Sequence, residues 1–383
     1  MRLLAPLDDL LVVDLTRALA GPYCTLMLGD LGARVIKIET PDAGDDTRAW
    51  GPPFVNGESA YFLGINRNKE SVTLNLKHTE AQEVLRRLLR RADVLVENFR
   101  AGTMDRFGFG YPAASALNSR LIYASISGFG QDGPYRERTA YDLILQGMGG
   151  LLGTTGDEGG PPVKVGVAVT DIAAGMFAAY AILAALRARD RTGRGQLVDV
   201  SMLDSQVAWM TYQAGYYFAT GENPKRLGSA HPSLVPYQAF KTRDGYVNVA
   251  VGSEAIWARF VVVIGAPQLA QDRRFATNPD RVGHRAELIA LLEPIFAGRS
   301  TREWADTFEG AGVPAGPIYL LSDLFTDPQV RHRQMVVEIE HPRAGRIKQT
   351  GVPMKLSETP GRITAPPPLL GQHTDSILGE LGY

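Results

Sequence analysis

Asp171 is the single carboxylate in KVGVAVTDIAAGMFAAYAILAAL, residues 164–186. Before it Val165, Val167 and Val169 alternate as in a strand. After it Ile172, Met176, Phe177, Ala179, Tyr180, Ile182 and Leu183 recur at helical spacing. An acid at such a seam can do either of two things. It can cap the helix, accepting hydrogen bonds from first-turn N–H groups, a contribution of about 1 kcal/mol. It can equally act as a catalytic carboxylate, placed in the helix dipole field with backbone donors nearby. The spacing leaves both readings open.

Three further stretches carry chemistry that suits an anion. LTRALAGP (15–22) leads from a strand into a helix N-terminus, a natural place for a phosphate or a carbonyl. LNLK (74–77) ends in Lys77, and ENFRAGTMDRFG (97–108) supplies Asn98, Phe99, Arg100 and Arg106. Cations and a stacking ring along one rim fit an adenine nucleotide with a long tail. One G-x-G-x-x-G occurs, at Gly128, Gly130 and Gly133. It follows a strand, but Pro134 and the charged YRERTAYD come next, not an apolar helix, and the acid expected some twenty positions on to hold a ribose is unconvincing. It reads as a glycine-rich loop over a ligand. No Walker motif, G-x-S-x-G or H-E-x-x-H is present, and the six histidines never fall in ligand-like pairs, so no metal is expected. Cys24 is the only cysteine, which excludes an intrachain disulfide, and it reads as a buried spectator.

The elements that must position these residues alternate strand and helix. Apolar strand runs cover 10–15, 33–39, 71–76, 93–99 and 120–130, with an amphipathic helix over 78–92 and a further strand in RTGRGQLVDVSML. This is the grammar of an α/β domain with a mostly parallel sheet, whose ligands sit at the carboxyl ends of the strands. From about residue 225 the pattern changes. A Thr-Arg-Asp-Gly turn joins two strand-like runs as an antiparallel hairpin, and helices are expected over 254–265, 285–297 and 301–311. The spacing therefore predicts a large domain over 1–224, a smaller α+β domain over 225–325, and a C-terminal segment 326–383 returning to the first.

With 40 basic and 41 acidic residues the formal charge is −1, giving no electrostatic case for nucleic acid or an acidic membrane. The N-terminus lacks a charged leader before a long apolar run, and apolar runs elsewhere read as broken short of membrane-spanning length. A cytoplasmic protein without membrane or nucleic-acid partners is the expectation.

The motifs VVDLTRALAGPYCTLMLGDLGARVIKIE, LNLK, ADVLVENFRAGTMDRFG, SGFGQDGPY, YDLILQGMGGL, VGVAVTDIAAGMFAA, RTGRGQLVDVSMLD and LLGQHTDSIL occur in order along nearly the whole chain. Together they resemble the class III CoA-transferases, the CaiB/BaiF family that includes formyl-CoA transferase. The resemblance implies a homodimer of interlocked open rings, each with a Rossmann-like large domain built from both chain ends. It implies that the acid of VTDIAAG, Asp171, is a nucleophile passing through an aspartyl mixed anhydride and an aspartyl-CoA thioester. It places CoA contacts on Ala18, Leu19, Ala20, Leu74, Asn75, Lys77, Asn98, Phe99 and Arg106, with Arg100 a further cation for the pyrophosphate, and puts Tyr141 near the reaction centre. CoA and acyl-CoA are then substrates, no cofactor is held permanently, and a small dicarboxylic acid such as succinate is the expected donor or acceptor. Arg17, Arg48 and His231 are candidates for a second carboxylate. Two departures matter. GSAHPSLVPY stands where formyl-CoA transferase has a run of glycines, which weakens formate and oxalate as substrates. The related α-methylacyl-CoA racemases, the alternative reading, carry His-Asp where this chain has Tyr141-Asp142, so one of two proton-exchange bases is lost.

Overall fold

The protein is described here by a computed structural model covering residues 5–383. Contacts divide the chain into two units. The larger holds the residues up to 151, 164–221 and 328–383; the smaller holds 152–163 and 222–327.

The larger unit is organised by six parallel strands: β1 (Leu11–Asp14), β2 (Arg34–Glu39), β3 (Lys69–Thr73), β4 (Val94–Glu97), β5 (Ile122–Ser127) and β6 (Leu197–Ser201). Their order is β3-β2-β1-β4-β5-β6. Alternate residues serve opposite faces. Val12, Val94 and Val96 pack with Cys24 and Leu28 of helix α1 (Ala20–Asp30). Val13, Ile36 and Leu95 pack on the other face with Leu85, Leu88 and Leu89 of helix α2 (Thr79–Arg91). Because both faces are covered, the strands read as continuous apolar runs. The chain moves outward one way after β1 and the other way after β4, so the crossovers diverge there. That leaves a crevice beyond the carboxyl ends of β1 and β4.

Helices α3 (Asp142–Met148) and α4 (Val169–Thr192) follow β5, and α5 (Met202–Trp209) and α6 (Thr211–Thr220) follow β6. The strand reading of Val165–Val169 is corrected. Val165 N–H donates to the Gln146 side chain at 2.9 Å, with no ladder partner, and the helix already starts at Val169. The reading of apolar runs is corrected as well: α4 is long and apolar enough by composition to span a membrane, although half of its most apolar window is buried in the unit. It crosses the start of α1 at Gly175, where a Cβ would lie 2.6 Å from the Ala20 carbonyl oxygen. Only glycine allows that approach.

The smaller unit contains the hairpin β7 (Tyr237–Lys241) and β8 (Tyr246–Ala250), helices α7 (Glu254–Val263), α8 (Arg285–Ala297) and α9 (Thr301–Gly310), and strand β9 (Ala315–Pro317). Its core is aromatic: Phe240 stacks on Phe296 with centroids 4.2 Å apart, beside Trp304 and Phe308. The closing segment adds the hairpin β10 (Val336–His341) and β11 (Gly345–Thr350) and helix α10 (Thr374–Glu380), whose Ile377 and Leu381 flank join the α2 side of the large core.

Candidate active site

The loop after β1 is held from below by buried charge. Asp14 accepts from Thr16 N at 2.8 Å, Thr25 Oγ1 at 2.6 Å and Lys69 Nζ at 3.1 Å. Lys37 Nζ donates to the Thr16 carbonyl and pairs with Asp45, both at 2.8 Å, with neither charged side chain exposed. Asp45 in turn accepts from Ala18 N at 3.2 Å. Burial alone would raise the Asp45 carboxyl, but Lys37 outweighs it and holds it at about 2. Ala18 adopts φ 61°, a left-handed conformation unusual for an L-residue, and these contacts keep it there. From the neighbouring strand end, Asn98 clamps the same loop. Its Oδ1 accepts from Arg17 N and its Nδ2 donates to the Arg17 carbonyl, both at 2.8 Å. Asn98 therefore serves the loop's shape. The Arg17 guanidinium lies 5.6 Å from the Phe99 ring centre.

This loop delivers the N-terminus of α1 to Asp171. Asp171 sits in the first turn of α4, whose start has no side-chain cap of its own. Its Oδ1 accepts instead from Ala20 N, the first residue of α1, at 3.2 Å. The capping duty at α4 falls to Asp142 on α3, which accepts from Thr170 N at 3.0 Å and from Thr170 Oγ1. Gln146, one turn along α3, fixes the other Asp142 oxygen at 2.7 Å. Oδ2 of Asp171 has no protein hydrogen bond among the described residues. Burial, then the nearby Asp142, push the Asp171 carboxyl up to about 7, with the Ala20 N–H pulling the other way. The Tyr61 phenol is pushed up to about 12 by burial and then by Asp171, so it stays protonated in the field of that acid.

A second buried acid organises the opposite rim. Glu97, at the end of β4, accepts from Phe99 N at 2.9 Å and from Ser125 Oγ on β5. Ser125 Oγ accepts from Gln131 Nε2 at 2.7 Å, while Gln131 N donates to Asp199 at 3.0 Å. The glycine loop 128–133 is thereby tied to the end of β4 and to the turn that carries Phe99. Burial raises the Glu97 carboxyl to about 7 against its hydrogen bonds to Ser125 and Phe99.

These elements enclose a cleft of about 250 Å³. Of the residues singled out in the sequence, Arg17, Ala18, Ala20, Asn98, Phe99, Arg100, Tyr141 and Asp171 line it. Tyr141 is 71% exposed there. Leu19 does not line it; its carbonyl begins α1 by accepting from Tyr23 N. Leu74 is buried in the α2-side core, Asn75 closes the turn after β3 by accepting from Lys77 N, and Lys77 is exposed outside the cleft. Arg106 donates to Thr103 Oγ1 at 2.9 Å and also lies outside the lining. Arg48 is committed elsewhere: it forks onto Glu39 with both bonds at 2.7 Å and covers the Phe62 ring at 3.7 Å. In the smaller unit, His231 Nδ1 accepts from Ser233 N and its ring packs against Tyr237. Arg136, Arg138 and the Asp142 cap escaped the sequence reading, though YRERTAYD had displayed all three. Cys24 is buried, and that burial raises its thiol further.

A family model described as CoA-transferase family III matches residues 7–374. The chain belongs to that family. This CoA-transferase is 46% identical to the Succinyl-CoA:glutarate CoA-transferase of Mus musculus over 376 residues, covering 98% of this chain and 86% of that protein. It is 42% identical to the Succinate–glutarate CoA-transferase of Agrobacterium fabrum over 382 residues, covering 98% and 96%. A CaiB/BaiF family protein from Brucella suis, solved by crystallography, superposes with a TM-score of 0.88 at 42% identity, covering 98% of this chain and 99% of that one. As a member of this family the enzyme uses CoA thioesters as substrates.

Proposed function

We propose that the enzyme exchanges CoA between small dicarboxylic acids, with succinate and glutarate the leading pair, and that Asp171 is the nucleophile. The observation that carries this is the state of Asp171: one oxygen anchored by Ala20 N, the other unpartnered among the described residues, in a cleft rich in arginine. Desolvation raises the energy of the carboxylate relative to bulk water and so its basicity and nucleophilicity. Its oxygen attacks the thioester carbonyl and CoA leaves as the thiolate, giving a mixed anhydride. The thiolate then attacks the aspartyl carbonyl, which releases the donor acid as a carboxylate and leaves an aspartyl-CoA thioester. The acceptor carboxylate displaces CoA thiolate to form a second anhydride, and the thiolate takes the new acyl group and restores Asp171. No net proton or nucleotide is consumed.

The names of the relatives support the dicarboxylate class. So does the supply of guanidinium in the cleft, with Arg17 one residue from Ala18 and available for a distal carboxylate, whereas Arg48 is occupied by Glu39. The test is intact-protein mass spectrometry after mixing with succinyl-CoA, beside Asp171→Ala. A hydroxylamine-sensitive adduct of CoA or acyl mass on the wild type alone is expected. An equal adduct on both proteins, or turnover retained by the alanine variant, rejects the assignment.

Self-association with a second copy belongs to the same proposal. Met176 and Tyr180 on α4 and Tyr212 and Phe218 on α6 leave large apolar groups in water, with Tyr180 74% and Phe218 81% exposed. Sedimentation equilibrium that returns only monomer overturns this part.

A further inference from the structure

Several arginines outside the cleft are closely paired with an acid. Arg34, Arg48, Arg67, Arg189 and Arg281 each lie 2.7–2.9 Å from a carboxylate. Around the cleft the pattern stops. None of Arg17, Arg100, Arg106, Arg136 and Arg138 has a carboxylate within the 4.0 Å of an ion pair among the described residues. Two of the five have aromatic partners: Arg17 faces Phe99, and Arg138 lies 3.7 Å over Tyr135, which packs edge-on against Phe129 of the glycine loop. Arg136 has neither an aromatic partner nor a side-chain hydrogen bond among the described residues.

Arg136 nevertheless points somewhere definite. Gly102, in the loop after β4, has φ 77°, and the position of a Cβ there is 3.6 Å from Arg136 Nη2 and 3.9 Å from Arg106 Nη1. Two guanidiniums from separate segments thus converge on one point beside the backbone. Glycine at 102 leaves that point open, and neither guanidinium has a carboxylate within ion-pair distance among the described residues. Such an arrangement is disfavoured by repulsion until an anion enters. Planar forks of this type match the oxygens of a phosphate.

We propose that Arg136 and Arg106 form a two-armed clamp for a phosphate group of the CoA thioester, seated against Gly102 at the rim of the cleft. The inference rests on the reading of the cleft as the CoA site and adds Arg136, from the segment after the glycine loop, as a residue that binds the substrate's nucleotide end. The same segment carries Tyr135 and Arg138, so closing the clamp also orders the glycine loop beside Asp171.

The test uses the full-length enzyme with Arg136→Gln, Arg136→Lys and Arg106→Gln. Both glutamine variants are expected to raise KM for the acyl-CoA by about tenfold or more, the size of one lost charge-assisted contact. KM for the acceptor acid and kcat at saturating thioester should move little, and lysine should recover part of the loss. Dephospho-CoA thioesters identify which phosphate is held. If it is the 3′-phosphate, the penalty of Arg136→Gln disappears with the dephospho substrate; if it is the pyrophosphate, the penalty persists. An unchanged KM for acyl-CoA in Arg136→Gln overturns the clamp, as does an equal rise in KM for both substrates. Because the measurement reads the thioester's KM and not the covalent adduct, it can fail while Asp171 still labels, and the converse.

Discussion

Replacing Asp171 by asparagine tests whether its carboxylate is held in an unfavourable, catalytically useful setting. Burial and Asp142 move this carboxyl from an ordinary 3.8 to about 7. Each pH unit of displacement corresponds to about 1.4 kcal/mol, so keeping the ionised form in the folded protein costs about 4 kcal/mol. The sign follows from linkage. The folded pKa lies above the unfolded one, so the folded state binds more protons between about pH 4 and pH 7, and stability falls as pH rises through that window. Below it the group contributes nothing; above it the full cost applies. The asparagine side chain keeps an oxygen for Ala20 N but carries no charge. Urea titrations at a fixed protein concentration, from about pH 4.5 to about pH 8.5, should therefore find Asp171→Asn close to wild type at the acid end and more stable by several kcal/mol at the alkaline end. The same titration governs activity: kcat/KM for the thioester should climb about tenfold per unit below pH 7 and level off above it. Parallel stability profiles for the two proteins across the whole range would refute the reasoning, because they would mean that the carboxyl titrates as it does in water.

Three more perturbations probe the scaffold. Gly175→Ala places a methyl 2.6 Å from the Ala20 carbonyl, so it should cost about 1–3 kcal/mol in thermal unfolding and, by separating Ala20 from Asp171 one turn away, lower kcat more than it raises KM. A melting temperature and kcat both equal to wild type would show that α1 and α4 can part without consequence. Asp45→Ala strands the buried Lys37 ammonium and frees Ala18 N, with an expected loss of about 3–5 kcal/mol by denaturant titration, part of it restored when Lys37→Met is added; no recovery in the double variant argues against the pair. Ser125→Ala removes the hydroxyl joining Glu97 to Gln131, with an expected cost of about 1–3 kcal/mol and faster amide exchange over 128–133. Unchanged exchange there would separate the glycine loop from the Glu97 chain.

Much of the framework was legible as local pattern. The run at 10–15 appears as Leu11–Asp14, the run at 33–39 as Arg34–Glu39, and the 78–92 helix as Thr79–Arg91, because both-face burial demands continuous apolar strands and one-face burial demands a 3.6-residue period. The hairpin turn Thr242–Gly245 was visible for the same reason: turn residues sit at fixed offsets. The alternating valines before Asp171 misled, since alternation only predicts a strand where a neighbouring strand accepts it, and here the partner was the Gln146 side chain.

The sequence by itself determined that an acid would stand at the start of an apolar helix, that cations would lie in the loops after the strands, and, through its motifs, which family the chain resembles. It left open whether Asp171 caps its own helix or acts as a catalytic carboxylate. The tertiary structure gave the cap of that helix to Asp142, which serves Thr170, 28 residues away, while Asp171 serves Ala20, 151 residues away. It also brought Arg136 to Arg106 and turned Arg48 inward to Glu39. Periodicity is written in neighbouring residues because each element must bury its own face. A hydrogen bond between two helix starts depends on how closely their axes approach, which is set by packing at Gly175 and by the buried charges beneath Ala18.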